Sequence, residues 1–511
     1  MQPNTRIAVN TAVIYVRLLV TIFVSLFSTR YVLLALGETN FGIYNLVAGV
    51  VALFSFISAT MAGTTQRYVS YNMGLGDTQQ VCNVFYNSCI IHITIAVVVA
   101  LLVETAGLYL VNHVLTIPNG KLDDAQFVLH CVTIGLVFTV LTVPYEAVLM
   151  AHENILFVSL ITILNSLIKF GGAIVLLYVS VNKLRLYAII MAALPLICLM
   201  LQYFYCKKNY IETTANMATQ RDFALIKEMG GYAGWVIIGV TCGTIRTQGT
   251  AMLLNMFFGV IANAANGIAM QVNGVLQQFS ASITTSIRPQ LVKSVGENNM
   301  QRMLTLTYAA CKYPSLLLAL FAIPLVIAMP YVLELWLKDV PANASIFCTL
   351  LILVMLFNQL SMGLTTAIEA IGRVKILHLI VGSMHIVSIP AAYIFFKLGF
   401  PAPTIFWCIM VEEVIAALFR VILAKKLIGL SFRLYINEVL LRVLFVIATV
   451  VICGYYLWDV LPANLLNFII LCVSCTIVYI LSMLIFGVNK TERIAIFRMI
   501  SKGYTRIKTM M

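Results

Sequence analysis

Charge is scarce in this 511-residue chain: Asp, Glu, Lys and Arg together make up 10% of positions, against 61% apolar residues. Soluble domains carry roughly 25% charged and 45 to 50% apolar residues, and the mean hydropathy here is +0.99. A soluble globular fold is therefore excluded. Long polar connections are lacking too, since the longest one expected on the outer side, from His113 to Ala125, is about thirteen residues. A membrane polymerase or ligase needs such a segment for acid, base and sugar-binding groups. No Ser-His-Asp set, metal-spaced cluster or glycine-rich nucleotide loop stands outside the apolar runs. The twelve cysteines are dispersed and sit mostly inside apolar runs, as packing residues do; Cys472 and Cys475 form a CxxC without a partner pair. The first apolar stretch is too long for a signal peptide and has no small-residue cleavage site, so it is expected to remain as the first span.

The apolar runs are long and unbroken, which favours helices over barrel strands of alternating polarity. Windows of about 20 residues give an all-α integral membrane protein with about fourteen spans. They lie near 8–34, 41–64, 86–111, 126–149, 155–179, 186–206, 231–256, 261–286, 304–332, 346–370, 376–397, 404–424, 440–458 and 464–487. Twenty-one of the basic residues at or beyond the span ends fall on the side of the N-terminus and five on the other. The positive-inside rule then places both termini in the cytoplasm. Topology thus accounts for the net charge of +13, and nucleic acid is not an expected partner. Trp336, Trp407 and Trp458 fall at outer span ends, as interfacial rings do. The stretch from Lys490 to Lys508 reads as an amphipathic helix on anionic membrane lipid, with a disordered tail as the alternative.

Six basic residues remain inside the spans: Arg17, Arg30, Lys169, Arg246, Lys312 and Arg420. A charge at the bilayer centre costs roughly 2.5 to 3.5 kcal/mol on insertion scales. Such residues either line a wet path for an anionic cargo or form internal ion pairs. Arg17, Lys169 and Arg246 lie deepest, Arg30 and Lys312 less so, and Arg420 is close enough to a span end to snorkel. Acidic residues in spans are Glu104, Glu412 and Glu413, with Glu146 and Glu369 near ends. Each of the first three is a candidate for proton or sodium coupling or for a structural pair. Because neighbours on a helix point about 100° apart, Glu412 and Glu413 are not expected to face one site. His378 and His385, two turns apart, are ordinary interior residues or a proton-handling pair. Asn343-Ala344-Ser345 matches a glycosylation acceptor and is assigned no role.

A faint repeat relates the stretch 37–77 to the stretch 258–297. Both run from a Gly/Asn-rich turn through small residues to Gln66-Arg67 or Ile287-Arg288, then to Gly76-Asp77 or Gly296-Glu297. The spacing suggests two six-span lobes of like orientation followed by two extra helices. The expected divisions are 1–228 for the N-terminal lobe, 229–430 for the C-terminal lobe, 431–487 for helices 13 and 14, and 488–511 for the basic tail. Pro144, Pro195, Pro314, Pro324 and Pro390 fall inside spans, either as hinges or as the ordinary prolines of membrane helices.

Three segments carry a resemblance. Gln66-Arg67-Tyr68 through Gly74-Leu75-Gly76-Asp77, Pro144-Tyr145-Glu146 through Ala151-His152-Glu153, and Gln248-Gly249 through Leu254-Asn255-Met256-Phe257-Phe258-Gly259 resemble Wzx-type polysaccharide or O-antigen flippases. These belong to the multidrug/oligosaccharidyl-lipid/polysaccharide (MOP) superfamily, which also holds the MATE drug antiporters. The resemblance implies a MATE-like, V-shaped cavity between the lobes, opened alternately to each side. It further implies a cargo of undecaprenyl-pyrophosphate-linked oligosaccharide, moved to the outer leaflet of a bacterial cytoplasmic membrane for surface polysaccharide or lipopolysaccharide assembly. Polysaccharide polymerase machinery is then an expected partner, and Arg17, Arg30, Lys169, Arg246 and Lys312 are the cargo-binding candidates. Arginine's planar fork suits phosphate oxygens. The chief rival is a cation-coupled drug antiporter of the same superfamily, which would need acidic residues for its cargo.

Overall fold

A computed structural model describes residues 3–52, 55–114, 117, 120–214, 221–337, 340–489 and 492–493, though some side chains within 3–59 and 260–264 are not described. All described elements are helical. Ten of the described helices are long and apolar enough to cross a membrane, which makes this a multi-pass membrane protein. They include α3 (Thr78–Leu102, continued by π-helical turns), α4 (Leu122–Ala151), α5 (Ile155–Tyr178) and α6 (Lys183–Asn209). The expected span near 404–424 is also a helix, α12 (Thr404–Ile428), although Glu412, Glu413 and Arg420 lower its hydropathy.

Two very long helices cover more than one expected span each, in whole or in part. The first, α1 (Pro3–Ala52), breaks at Gly37, where φ is 73° and ψ is 166°. The second, α7 (Phe223–Gly296), breaks at Gly259, with φ 77° and ψ −169°. Both conformations lie in a region open essentially to glycine alone. The breaks fall at equivalent places in the faint sequence repeat, so the two copies share a backbone device as well as a pattern. The prolines do not make these breaks: Pro144, Pro195, Pro314, Pro324 and Pro390 all lie inside helices.

Contacts group the chain into two compact units and divide it inside α7. The first comprises Met1–Ile237 with Ser286–Asn299. Its core joins α1, α4, α5 and α6 through fully buried Val47, Leu129, Ala173, Leu176, Leu184 and Ala188. The end of α7 enters this unit against α2 (Ser55–Leu75), where both helices carry glycine. A methyl added at Gly74 would collide with the Lys293 carbonyl, and one at Gly296 with the Tyr71 carbonyl. Nearby, Glu153, in the left-handed region at φ 59°, accepts a hydrogen bond from Gln290 Nε2 at 2.6 Å. Gly76 and Asp77 make the turn into α3, with the Asp77 carboxylate capping the Gln80 amide at 2.9 Å. Much of the sequence motif thus consists of turn and close-packing residues.

The second unit comprises Ile238–Thr285 with Met300–Met511. It holds α8 (Met300–Ile327), α9 (Met329–Leu337), α10 (Ala344–Ala370), α11 (Val374–Lys397), α12, the short α13 (Phe432–Tyr435), α14 (Leu441–Val460) and α15 (Leu465–Ser482). One core centres on Phe347 and Phe406, whose rings lie 4.7 Å apart. Another joins α8 to α14 and α15 through Leu316, Ala319, Val443, Val446 and Leu471. The expected basic tail beyond residue 493 lies outside the described residues.

The crossing of α2 and α7 leaves no room for a side chain. Gly296→Ala should therefore destabilise the protein by about 1 to 3 kcal/mol through overpacking, whereas Gly267→Ala, which meets open space, should not. Thermal unfolding of the detergent-solubilised variants measures the difference.

Candidate functional site

In the second unit, three helices and a neighbour converge on a buried charge network. Arg246 projects from α7, His385 from α11, and Glu412 and Glu413 from α12. Arg246 Nη1 donates to Glu412 Oε2 at 2.7 Å, lies 3.0 Å from His385 Nδ1, and is 3.5 Å from Glu413 Oε2. His385 Nδ1 also lies 2.9 Å from Glu412 Oε1. Glu413 Oε1 accepts from Arg420 Nη1 and from Asn358 Nδ2 of α10, each at 2.7 Å. Arg420 Nη1 also donates to Ser361 Oγ at 2.8 Å.

This network revises the expectation for the adjacent pair. Both Glu412 and Glu413 approach one guanidinium, because a long arginine fork bridges the angle that separates neighbouring positions on a helix. It also explains Arg420, which is paired inside the unit and 2% exposed rather than snorkelling to water. The trio His385, Glu412 and Glu413 places ligand-type atoms within 4.8 Å of one another. The cation standing among them is Arg246. Its side chain is 21% exposed, whereas those of Glu412 and Glu413 are 7% and 0% exposed, so the arginine is the reachable member. Beside the network runs a groove of about 620 Å³ between α11 and α12, lined by Val387, Trp407, Val411 and Ile415 with Glu412 in its wall.

The other sequence candidates are dispersed. Lys312 of α8 is buried and donates to both carboxylate oxygens of Glu492 at 2.7 Å, just beyond the last span. The Asn489 amide also donates to Glu492 at 2.8 Å. In the first unit, Arg17 of α1 is half-buried with Glu146 of α4 within electrostatic reach. Lys169 of α5 is half-buried mid-helix, with no carboxylate partner among the described residues. The side chain of Arg30 lies outside the described residues. Glu104, in a π-helical turn after α3, pairs with His130 of α4 at 2.7 Å and is one-third exposed. His378 sits 3.6 Å from Glu369, separate from the network that holds His385.

Sequence reasoning missed Asn358 and Glu492, and it considered His378 as the partner of His385, whereas His385 meets Glu412 and Arg246 instead. Asn358 carries no signal beyond being a polar residue in a span. Glu492 follows Lys490 in a basic stretch whose charge masks a single acid. His385 is conspicuous as an imidazole in mid-span, but its partners lie on other helices and leave no local signal.

Two outcomes follow from these pairs. Arg420→Ala strips a buried carboxylate of its main counter-charge, a loss of the kind that costs about 3 to 5 kcal/mol. Thermal unfolding should show it, with Arg420→Ala together with Glu413→Gln less damaged than Arg420→Ala alone. Burial pushes the Glu492 carboxyl upward, but the bonds from Lys312 and Asn489 outweigh this and hold it below its ordinary value. A depressed carboxyl stabilises above its unfolded value, about 4.3, and that contribution is lost as pH falls through the folded value. An acid titration of stability should lose one such step in Glu492→Gln.

No family model matches the chain. Among curated proteins, it is 18% identical over 302 residues to the uncharacterized membrane protein EpsK of Bacillus subtilis (strain 168), a match that spans 59% of each chain. Among solved structures, it resembles an outward-facing MATE multidrug resistance transporter of the MOP superfamily, with a TM-score of 0.70 at 14% identity, covering 84% of this chain and 96% of that one. A MATE in the straight conformation gives 0.68 at 15% identity, over 84% and 97%. A MOP superfamily transporter from Pyrococcus furiosus, described as having a binding pocket of reverse polarity that suggests a different function, gives 0.67 at 14% identity, over 84% and 96%. What this chain shares with all three structures is the fold of the MATE-like, multi-pass transporters of the MOP superfamily.

Proposed function

We propose that the protein is an alternating-access exporter of a bacterial cytoplasmic membrane, and that its cargo is anionic: an undecaprenyl-pyrophosphate-linked oligosaccharide destined for surface polysaccharide. The fold supports transport. The observation that carries the cargo assignment is Lys169, a half-buried cation in mid-helix with no carboxylate partner among the described residues. An uncompensated cation at this depth is costly, and a pyrophosphate would relieve it with charge-assisted hydrogen bonds. Arg17, on the helix that packs along α5, is a second phosphate donor from the same unit. Arg246 is the reachable cation of the other unit. Arg420 and Lys312, each held by its own carboxylate, are assigned to structure instead of cargo.

A MATE-type cation-coupled drug antiporter is the second reading. Two observations favour it: the multidrug transporters among the proteins of like fold, and the apolar groove with Glu412 in its wall, which suits a lipophilic cation. Against it, Glu412 is already neutralised by Arg246 at 2.7 Å. Proton or sodium coupling fits both readings, through Glu412, Glu413 and Glu104.

Reconstitution in proteoliposomes separates the two. Transfer of labelled lipid-linked oligosaccharide should proceed in the native protein and fall at least tenfold in Lys169→Ala and Arg17→Ala, with protein abundance near normal. Gradient-driven transport of tetraphenylphosphonium without lipid transfer would establish the second reading instead.

A further inference from the structure

The charges in the network of the second unit balance. Arg246 and Arg420 contribute two positive charges, Glu412 and Glu413 two negative ones, and a neutral His385 none. With the imidazole neutral the site carries no net charge, and one added proton would leave it with a surplus positive charge among groups mostly removed from water. Burying an unpaired charge is expensive, so such a proton is retained only if an anion arrives or a carboxylate gives way.

The geometry at His385 decides where that proton acts. A single ring nitrogen, Nδ1, has two partners of opposite hydrogen-bonding character: Arg246 Nη1 at 3.0 Å, which can only donate, and Glu412 Oε1 at 2.9 Å, which can only accept. Both bonds cannot be made at once. With a lone pair on Nδ1, His385 accepts from Arg246 and shares it with Glu412. With both ring nitrogens protonated, the cationic His385 donates from Nδ1 to Glu412, takes over part of that carboxylate's charge and repels the guanidinium. Glu413 offers Arg246 only its Oε2, which has no hydrogen-bond partner among the described residues and lies 3.5 Å away. Its Oε1 is already committed to Arg420 and Asn358.

We propose that His385 is the proton site of a paired proton and oxyanion site, in which protonation releases Arg246 from Glu412 to bind a phosphate or pyrophosphate group. This rests on the anionic-cargo reading and adds to it how the cation of the second unit becomes available to an oxyanion and what couples to it. Among the described residues, the ionisable groups around His385 are Arg246 from α7 and Glu412 and Glu413 from α12, with Cys242 of α7 one turn away beside Gly382; on α11 itself His378, two turns away, is turned toward Glu369 of α10. Each of the nearest acidic groups is paired to an arginine in the neutral-histidine state, so the imidazole is the group free to gain a proton. Arg246, the more exposed partner, is the one free to leave. Linkage then requires reciprocity: the proton strengthens anion binding, and the anion strengthens proton binding.

The test uses the full-length protein in detergent with inorganic pyrophosphate as the probe. Isothermal titration at about pH 5.5 and about pH 8, which bracket the ordinary imidazole value of about 6.5, should show binding at least tenfold tighter at the lower pH. Pyrophosphate is itself protonated in this range, so His385→Gln, measured across the same pH values, serves as the reference. The variant should lose the tenfold difference, and Arg246→Met should lose the pH-dependent part of the binding. In weakly buffered solution near pH 7, adding pyrophosphate to the native protein should draw a proton from solution beyond the amount taken up by Arg246→Met. This second readout stands even if His385→Gln does not fold. Equal pH dependence in the native protein and His385→Gln overturns the proposal, as does absence of the extra proton uptake. If lipid-linked oligosaccharide is still transferred in proteoliposomes under those outcomes, the cargo reading survives without the switch; loss of both removes the cargo reading as well.

Discussion

The constraint that organises this molecule is the cost of placing charge inside helices that cross a membrane. An isolated cation at mid-bilayer is unfavourable by several kcal/mol, and burying even a paired one offers little net stabilisation. Arg246, Arg420, Glu412 and Glu413 answer this collectively. The two carboxylates are bound by two guanidiniums, with Asn358 and Ser361 supplying further bonds. The result is a locally neutral knot that ties α7, α10, α11 and α12 together. Its neutrality is conditional on the state of one imidazole, which turns a structural device into a candidate functional one.

A different solution appears at Lys312. Here the counter-charge comes from beyond the last span, through Glu492. The chain after α15 is thereby fastened to α8, with Glu492 half-buried against Lys312. Lys169 has neither solution among the described residues. That contrast, within one protein, is the ground on which Lys169 is proposed for cargo and Lys312 is assigned to structure.

The two halves of the chain also share a mechanical feature. Gly37 and Gly259 interrupt α1 and α7 with nearly the same backbone angles, and Gly74 and Gly296 meet where the end of α7 packs on α2. In both cases glycine is required because a side chain would be strained or would collide. Much of the short motif on which the family resemblance rests, in particular Gly74 through Asp77 and Glu153, makes turns, caps and close contacts. Such residues are shared for reasons of fold, which is why the resemblance speaks more clearly to architecture than to cargo.

Composition and hydropathy alone determined that this is a helical multi-pass membrane protein, because about 20 consecutive apolar residues have few alternatives to a spanning helix. They located even the charged α12, and the repeat they suggested marks the place of both helix breaks. They also singled out nearly every charge that matters, since ionisable residues are conspicuous in apolar runs. Only the tertiary structure decided which of those charges are spent on one another. Arg246 and Glu412 are 166 positions apart and Lys312 and Glu492 are 180 apart, and no periodicity within a single helix carries information across such distances. Pairing depends on which helix faces pack together and on how far long side chains reach, which is also why Glu412 and Glu413, neighbours pointing in different directions, both approach the same arginine.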